Sequence, residues 1–89
     1  MKAIVSVVGK DRTGIIAAIA AELAACNINI LEISQTIMQG SFVMIMHVDA
    51  EGSSVELGAL CDRLQSAVDG WGITVHVQHE DLFSSMQRV

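Results

Sequence analysis

Proline and tyrosine are both absent from this chain of 89 residues, and aromatic residues make up 3% of it. Without proline there is no stiff proline-rich spacer, and no low-complexity segment divides the sequence. The chain therefore reads as one domain, 1–89, within the usual range of roughly 50–200 residues. Phe42, Trp71 and Phe83 are its aromatic residues, too few for the base-stacking platform of an RNA-recognition sheet. Basic residues are equally scarce. Lys2, Lys10, Arg12, Arg63 and Arg88 stand against ten acidic residues, for a formal charge of −5. No phosphate-neutralising patch can be built from them, which excludes nucleic acid as a partner. Two cysteines, Cys26 and Cys61, do not make a disulfide framework and read as small buried apolar residues of a cytoplasmic protein. No apolar run approaches the ~20 residues of a membrane span. Met1-Lys2 leads directly into a strand pattern without a cleavage region, so neither a signal peptide nor a membrane partner is expected.

What is abundant is apolar. Hydrophobic residues are 52% and charged residues 17%, against about 25% charged in an average domain. A small domain with so little polar surface is expected to pair with a copy of itself.

Residues 2–8 form a β-branched run that reads as a central strand. A helix follows over 13–26, with Ile15, Ile16, Ile19, Leu23 and Cys26 on one face of a 3.6-residue period. Asn27 suits the left-handed turn that ends it. Residues 28–38 read as a strand with a change of phase: Ile28 and Ile30 share one parity, Ile33 and Ile37 the other. A bulge near Leu31-Glu32 would return all four to the core face. Gln39-Gly40 predicts a tight turn into a strand over Phe42–Asp49. Ser53 and Glu56 carry a capping-box spacing, the Ser53 hydroxyl meeting the Glu56 N–H. Leu57, Leu60, Cys61, Leu64 and Val68 mark the buried stripe of a second helix, stopped at Gly70-Trp71-Gly72. Ile73, Val75 and Val77 alternate in a last strand. Leu82, Phe83 and Met86 have helical spacing in the tail, 80–89.

The order βαββαβ predicts an α+β, ferredoxin-like sandwich over 2–79. Its four-stranded antiparallel sheet carries two helices on one face, with a short C-terminal helix beyond. Right-handed crossovers fix the strand order as 4-1-3-2. The second strand is then an apolar open edge, and a homodimer through it and the first helix is expected. Trp71 is expected to anchor one end of the sheet. Met38, Met44, Met46 and Met86 read as core or dimer filler.

One stretch carries chemistry. In Val8-Gly9-Lys10-Asp11-Arg12-Thr13-Gly14-Ile15-Ile16 a strand hands over to a helix in a few residues. The first N–H groups of that helix are left unpaired and favour an anionic group such as a carboxylate. Asp11 and Asn29 are candidates to hold an ammonium. Asp11 is also a candidate N-cap with Gly14 at N3. His47, His76 and His79 have no metal-ligand spacing, and no metal or cofactor is expected. No nucleophile–base set can be argued from the spacing, and the Val-Gln-Gly-Val-Gly-Phe-Arg type of acylphosphatase signature is missing.

With Asn27-Ile28-Asn29-Ile30, the Gly9–Ile15 segment resembles the ACT domain family of regulatory modules. The resemblance spans residues 2–79 and extends to small stand-alone ACT proteins and to the ACT halves of glycine-cleavage-system repressors. It implies dimers with side-by-side sheets and a small ligand, often an amino acid, at the subunit interface, with no catalysis. Carried over by position, Gly9, Lys10, Asp11, Arg12, Thr13, Gly14, Ile15, Asn29 and Ile30 would form the ligand site. Asp11 would meet the amino group, Asn29 of the neighbouring subunit another polar end, and the N–H groups near Gly14 and Ile15 the carboxylate. Many amino-acid-binding members have Asn at the position of Asp11 and Pro at that of Thr13. A carboxylate at 11 disfavours acidic ligands. Signalling would run through a regulated protein partner. The alternatives within the same fold are a structural dimerisation or protein-interaction domain without ligand and, behind it, an acylphosphatase-like enzyme.

Overall fold

The computed structural model describes residues 1–81. The elements run β1 (Lys2–Lys10), α1 (Ile15–Ala25), β2 (Asn29–Met38), β3 (Ser41–Asp49), α2 (Leu57–Ala67) and β4 (Ile73–His79). The sheet order is β2-β3-β1-β4 with every neighbouring pair antiparallel, which is the expected order read from the other edge. The C-terminal helix expected over 80–89 falls almost wholly outside the described residues.

The side-chain period of two explains where the core lies. Ala3, Val5 and Val7 of β1, Phe42, Met44, Met46 and Val48 of β3, and Ile73 and Val75 of β4 are all buried on one face. Ile15, Ile19 and Leu23 of α1 and Leu60 and Leu64 of α2 close over that face. Each such side chain contributes about 1.5–3 kcal/mol on full burial. Ile16 does not join them. It is 37% exposed, because the stripe through Ile15, Ile19 and Leu23 points at the sheet and Ile16 lies off its axis. Cys26 is buried, but Cys61 is only half-buried.

Local turn chemistry follows the sequence closely. Asn27 has φ 61° and Gln39-Gly40 have φ 52° and 81°, as their left-handed positions require. The register shifts between Ile30 and Glu32, so Leu31 is the bulged residue. Ile30, Ile33 and Ile37 thereby pair with Val48, Met46 and Phe42 and share the core-side face. Ile28 is buried. The phase is as expected, but the burial is not: Ile33 is 46% and Ile37 58% exposed. The helices reach Ile30 but leave Ile33 and Ile37 uncovered, and an edge strand has neighbours on one side only.

Both helix starts differ from expectation. The α1 N-cap is Gly14, in the left-handed region at φ 92°, with no side-chain cap. Asp11 is therefore not the cap, since the helix begins at Ile15 and not at Thr13. The α2 N-cap is Glu56, also without a side-chain bond. The Ser53 hydroxyl accepts from the Val55 N–H at 3.1 Å and donates to the Val55 carbonyl at 2.7 Å. That local turn replaces the capping box and delays the helix to Leu57.

The two sheet edges are unlike. Along β4, the Gln65 side chain donates to the Ile73 carbonyl at 2.7 Å and accepts from the Val75 N–H at 2.9 Å. The Cys61 thiol donates to the Val75 carbonyl at 3.5 Å. Side chains of α2 thus occupy backbone groups that an added strand would need. Nothing comparable covers β2 among the described residues.

Candidate functional site

The loop 11–14 connects β1 to α1 and is tied down at its start. The Asp11 N–H donates to the Gly40 carbonyl at 3.1 Å, fixing the loop to the β2–β3 turn. The Ala18 N–H donates to the Gly14 carbonyl at 3.0 Å and opens the helix. The uncapped first turn, Gly14 to Ala17, lines a cavity of about 500 Å³. Asp11 and Arg12 stand at the same cavity, and Gln35 and Ile37 of β2 and Phe42 of β3 complete it. A helix N-terminus with free amides favours an anion, Asp11 favours a cation, and the isoleucines with Phe42 favour an apolar body. This size and mixture suit a small organic ligand.

Of the residues expected from sequence, the structure brings Asp11, Arg12, Gly14 and Ile15 to this cavity. Gly9, Lys10 and Thr13 do not line it. Gly9 is a packing position: a Cβ there would lie 2.4 Å from the Gly72 carbonyl oxygen and 2.7 Å from the Ile73 Cα. Lys10 takes part through its backbone, its N–H donating to Gly72 O at 3.4 Å. Asn29 and Ile30 lie at the far end of the sheet. Asn29 pairs with Asp49, which pairs with Lys2, whereas the loop leaves β1 where Lys10 meets Ser41. Within one chain, then, Asp11 and Asn29 cannot grip the same ammonium.

Ile16, Ala17, Gln35, Ile37 and Phe42 were not among the expected site residues. Gln35 left a trace in the sequence, as the polar residue lying in phase between Ile33 and Ile37 on an otherwise apolar face. Gly14 has room for a side chain, since a Cβ would meet nothing within 4 Å, but its φ of 92° strains any other residue. The histidines do not gather. Among the described residues no three His, Cys, Asp or Glu side chains could hold a metal ion, and His47 Nε2 lies 3.4 Å from Glu80 Oε1.

The βαββαβ sandwich is the fold of ACT domains, which are generally regulatory ligand-binding modules. The chain belongs to the ACT domain family: the family model matches residues 2–78. A UPF0237 protein of Methanocaldococcus jannaschii is 49% identical over 88 residues, 99% of this chain and 98% of that one. A UPF0237 protein of Clostridium acetobutylicum is 46% identical over the full length of both chains. Among solved structures, an ACT domain protein from Streptococcus pneumoniae superposes with a TM-score of 0.79 at 30% identity, covering 93% of each chain. A formyltetrahydrofolate deformylase from Pseudomonas syringae carries the same fold over 27% of its length, with a TM-score of 0.78 at 21% identity. Among the described residues no helix is long and apolar enough to cross a membrane.

Proposed function

We propose that this chain is a non-enzymatic regulatory module that works as a homodimer and binds an amino-acid-like zwitterion at the β1–α1 loop. The observation that carries this reading is the coincidence of two incomplete features. The cavity holds Asp11, Arg12 and an uncapped helix start, and one of its walls, Ile37, belongs to the strand whose outer edge is unpaired among the described residues. A second copy meeting β2 antiparallel about a two-fold axis near Ile33-Ser34 would bring its own Asn29 and Ile30 toward Met38 and Ile37. That pairing would bring together residues that lie at opposite ends of the sheet within a single chain. It would also cover Leu31, Ile33 and Ile37, which are exposed now, together with Ile16 at the first helix.

Ligand at such an interface favours one dimer arrangement over another, and a regulated protein partner would read the difference. A cytoplasmic setting belongs to the same reading and is supported by two free thiols. No nucleic acid, membrane or cofactor takes part.

The test is a thermal-shift screen of the full chain against the twenty amino acids and common nucleotides, because a state-selective ligand raises Tm. Calorimetry on Gly14→Val and Gly14→Ala follows, with sedimentation of wild type and Ile37→Lys. The expected results are a Tm rise for an amino acid, loss of binding in Gly14→Val with the fold retained, and dissociation of Ile37→Lys into monomers. Gly14→Ala keeps the smaller side chain in case valine at that φ prevents folding. A dimer that binds nothing would leave a structural dimerisation domain. A monomeric wild type, or unchanged affinity in both Gly14 variants, would overturn the site.

A further inference from the structure

Arg12 is an exposed loop residue, yet its guanidinium is held. The guanidinium carbon lies 3.8 Å from the centroid of the Trp71 ring. The ring is itself fixed, because Trp71 packs against the core between Gly70 and Gly72, whose φ values are 77° and 73°. The same turn is bound to the end of β1 by the Lys10 N–H to Gly72 carbonyl contact. Stacking on an indole face leaves the N–H rim of a guanidinium available. Among the described residues, no carboxylate forms an ion pair with Arg12; the pairs are His47–Glu80, Arg63–Glu22 and His79–Asp81. Asp11 borders the same cavity and is not paired with Arg12 either. Asp11 and Arg12 thus carry opposite charges that form no ion pair with each other, and both residues line the same cavity. The opposite walls are Ile16, Ile37 and Phe42, with Gln35 as the one further polar side chain.

Resting on the binding reading above, we infer that Trp71 is the positioning residue of this site. It holds Arg12 as the group that takes the ligand's carboxylate while Asp11 takes the ammonium, and the ligand is an α-amino acid with an uncharged, apolar side chain. The ring fixes a long, flexible side chain before the ligand arrives, so less freedom is lost on binding. A charged ligand side chain would lie against Ile16, Ile37 and Phe42 with only the neutral Gln35 side chain to meet it and no opposite charge, which selects against it.

The experiment is calorimetry on the full chain with L-leucine, L-lysine and L-glutamate, followed by a double-mutant cycle with L-leucine. The variants are Arg12→Ala, Trp71→Leu and their combination, with Trp71→Phe as the variant that keeps an aromatic face. Arg12→Ala should weaken leucine binding by roughly 10- to 100-fold, as loss of a charge-assisted contact does. Trp71→Leu should weaken it about three- to tenfold, and Trp71→Phe should recover most of that loss. In the Arg12→Ala background Trp71→Leu should change nothing further, whereas a merely structural role would lower affinity in both backgrounds alike. Additive losses would overturn the positioning role while leaving the site intact. Equal affinity for leucine, lysine and glutamate, or an Arg12→Ala variant that binds leucine normally, would overturn the ligand class. Failure of the wild type to bind any of the twenty amino acids would instead remove the underlying binding reading, and this inference with it.

Discussion

Replacing Gly9 by alanine tests the frame on which the site is built. An ideal Cβ at this position would lie 2.4 Å from Gly72 O, 2.7 Å from Ile73 Cα and 3.0 Å from Ile73 Cγ1. The Ile73 side chain can turn away, but the first two atoms are backbone. Carbon contacts settle near 3.5–4.0 Å, so the start of β4 would have to retreat by roughly 1 Å. Overpacking costs about 1–3 kcal/mol, and a clash with main chain belongs at the upper end. The retreat also loosens the Lys10 N–H to Gly72 bond, whose loss adds about 1 kcal/mol. The expected cost is therefore about 3–4 kcal/mol, a large part of the roughly 4–13 kcal/mol available to a domain of this length. Urea denaturation followed by circular dichroism should report a lower midpoint at an unchanged slope. Gly58→Ala is the control. It sits in α2 where a Cβ meets nothing within 4 Å, and it should stabilise by about 0.5–1 kcal/mol. A Gly9→Ala variant within about 0.5 kcal/mol of wild type would refute the close approach of β1 and the 70–72 turn.

Gln65→Ala should cost about 1–3 kcal/mol, because the Ile73 carbonyl and Val75 N–H lose their side-chain partner; urea titration measures it, and light scattering should detect concentration-dependent association at the freed strand. Arg63→Ala removes the contact of 3.0 Å from its Nη2 to Glu22 Oε2. Both side chains are substantially exposed, so a double-mutant cycle with Glu22→Ala should give less than about 1 kcal/mol, diminishing with salt.

Element order, the bulge at Leu31 and the turns at Asn27 and Gln39-Gly40 were legible in the sequence because they follow from local periodicity and local backbone preference. The helix starts were not, because Asp11 and Ser53 each had a competing use. Asp11 lies before a left-handed Gly14 that delays the helix, and Ser53 closes a turn on Val55. The part of the cavity wall that is local in sequence, Asp11, Arg12, Gly14 and Ile15, lies in the loop that the sequence singled out. The part contributed by Gln35, Ile37 and Phe42 could not be singled out, since strand register brings those residues to the loop. The contact between Arg12 and Trp71 joins residues far apart in the chain and leaves no periodic mark. The exposure of Ile33 and Ile37 has the same origin: pattern gives the face a side chain occupies, and packing decides whether anything covers it.

The side chain of Gln65 has a consequence for how large an assembly this protein can build. A sheet with two free margins can add neighbours indefinitely and grow into a fibre, whereas here the helix already occupies the Ile73 carbonyl and both backbone groups of Val75 at the margin of the fourth strand. An incoming strand at that margin would have to displace those contacts first, which biases lateral growth toward the other side.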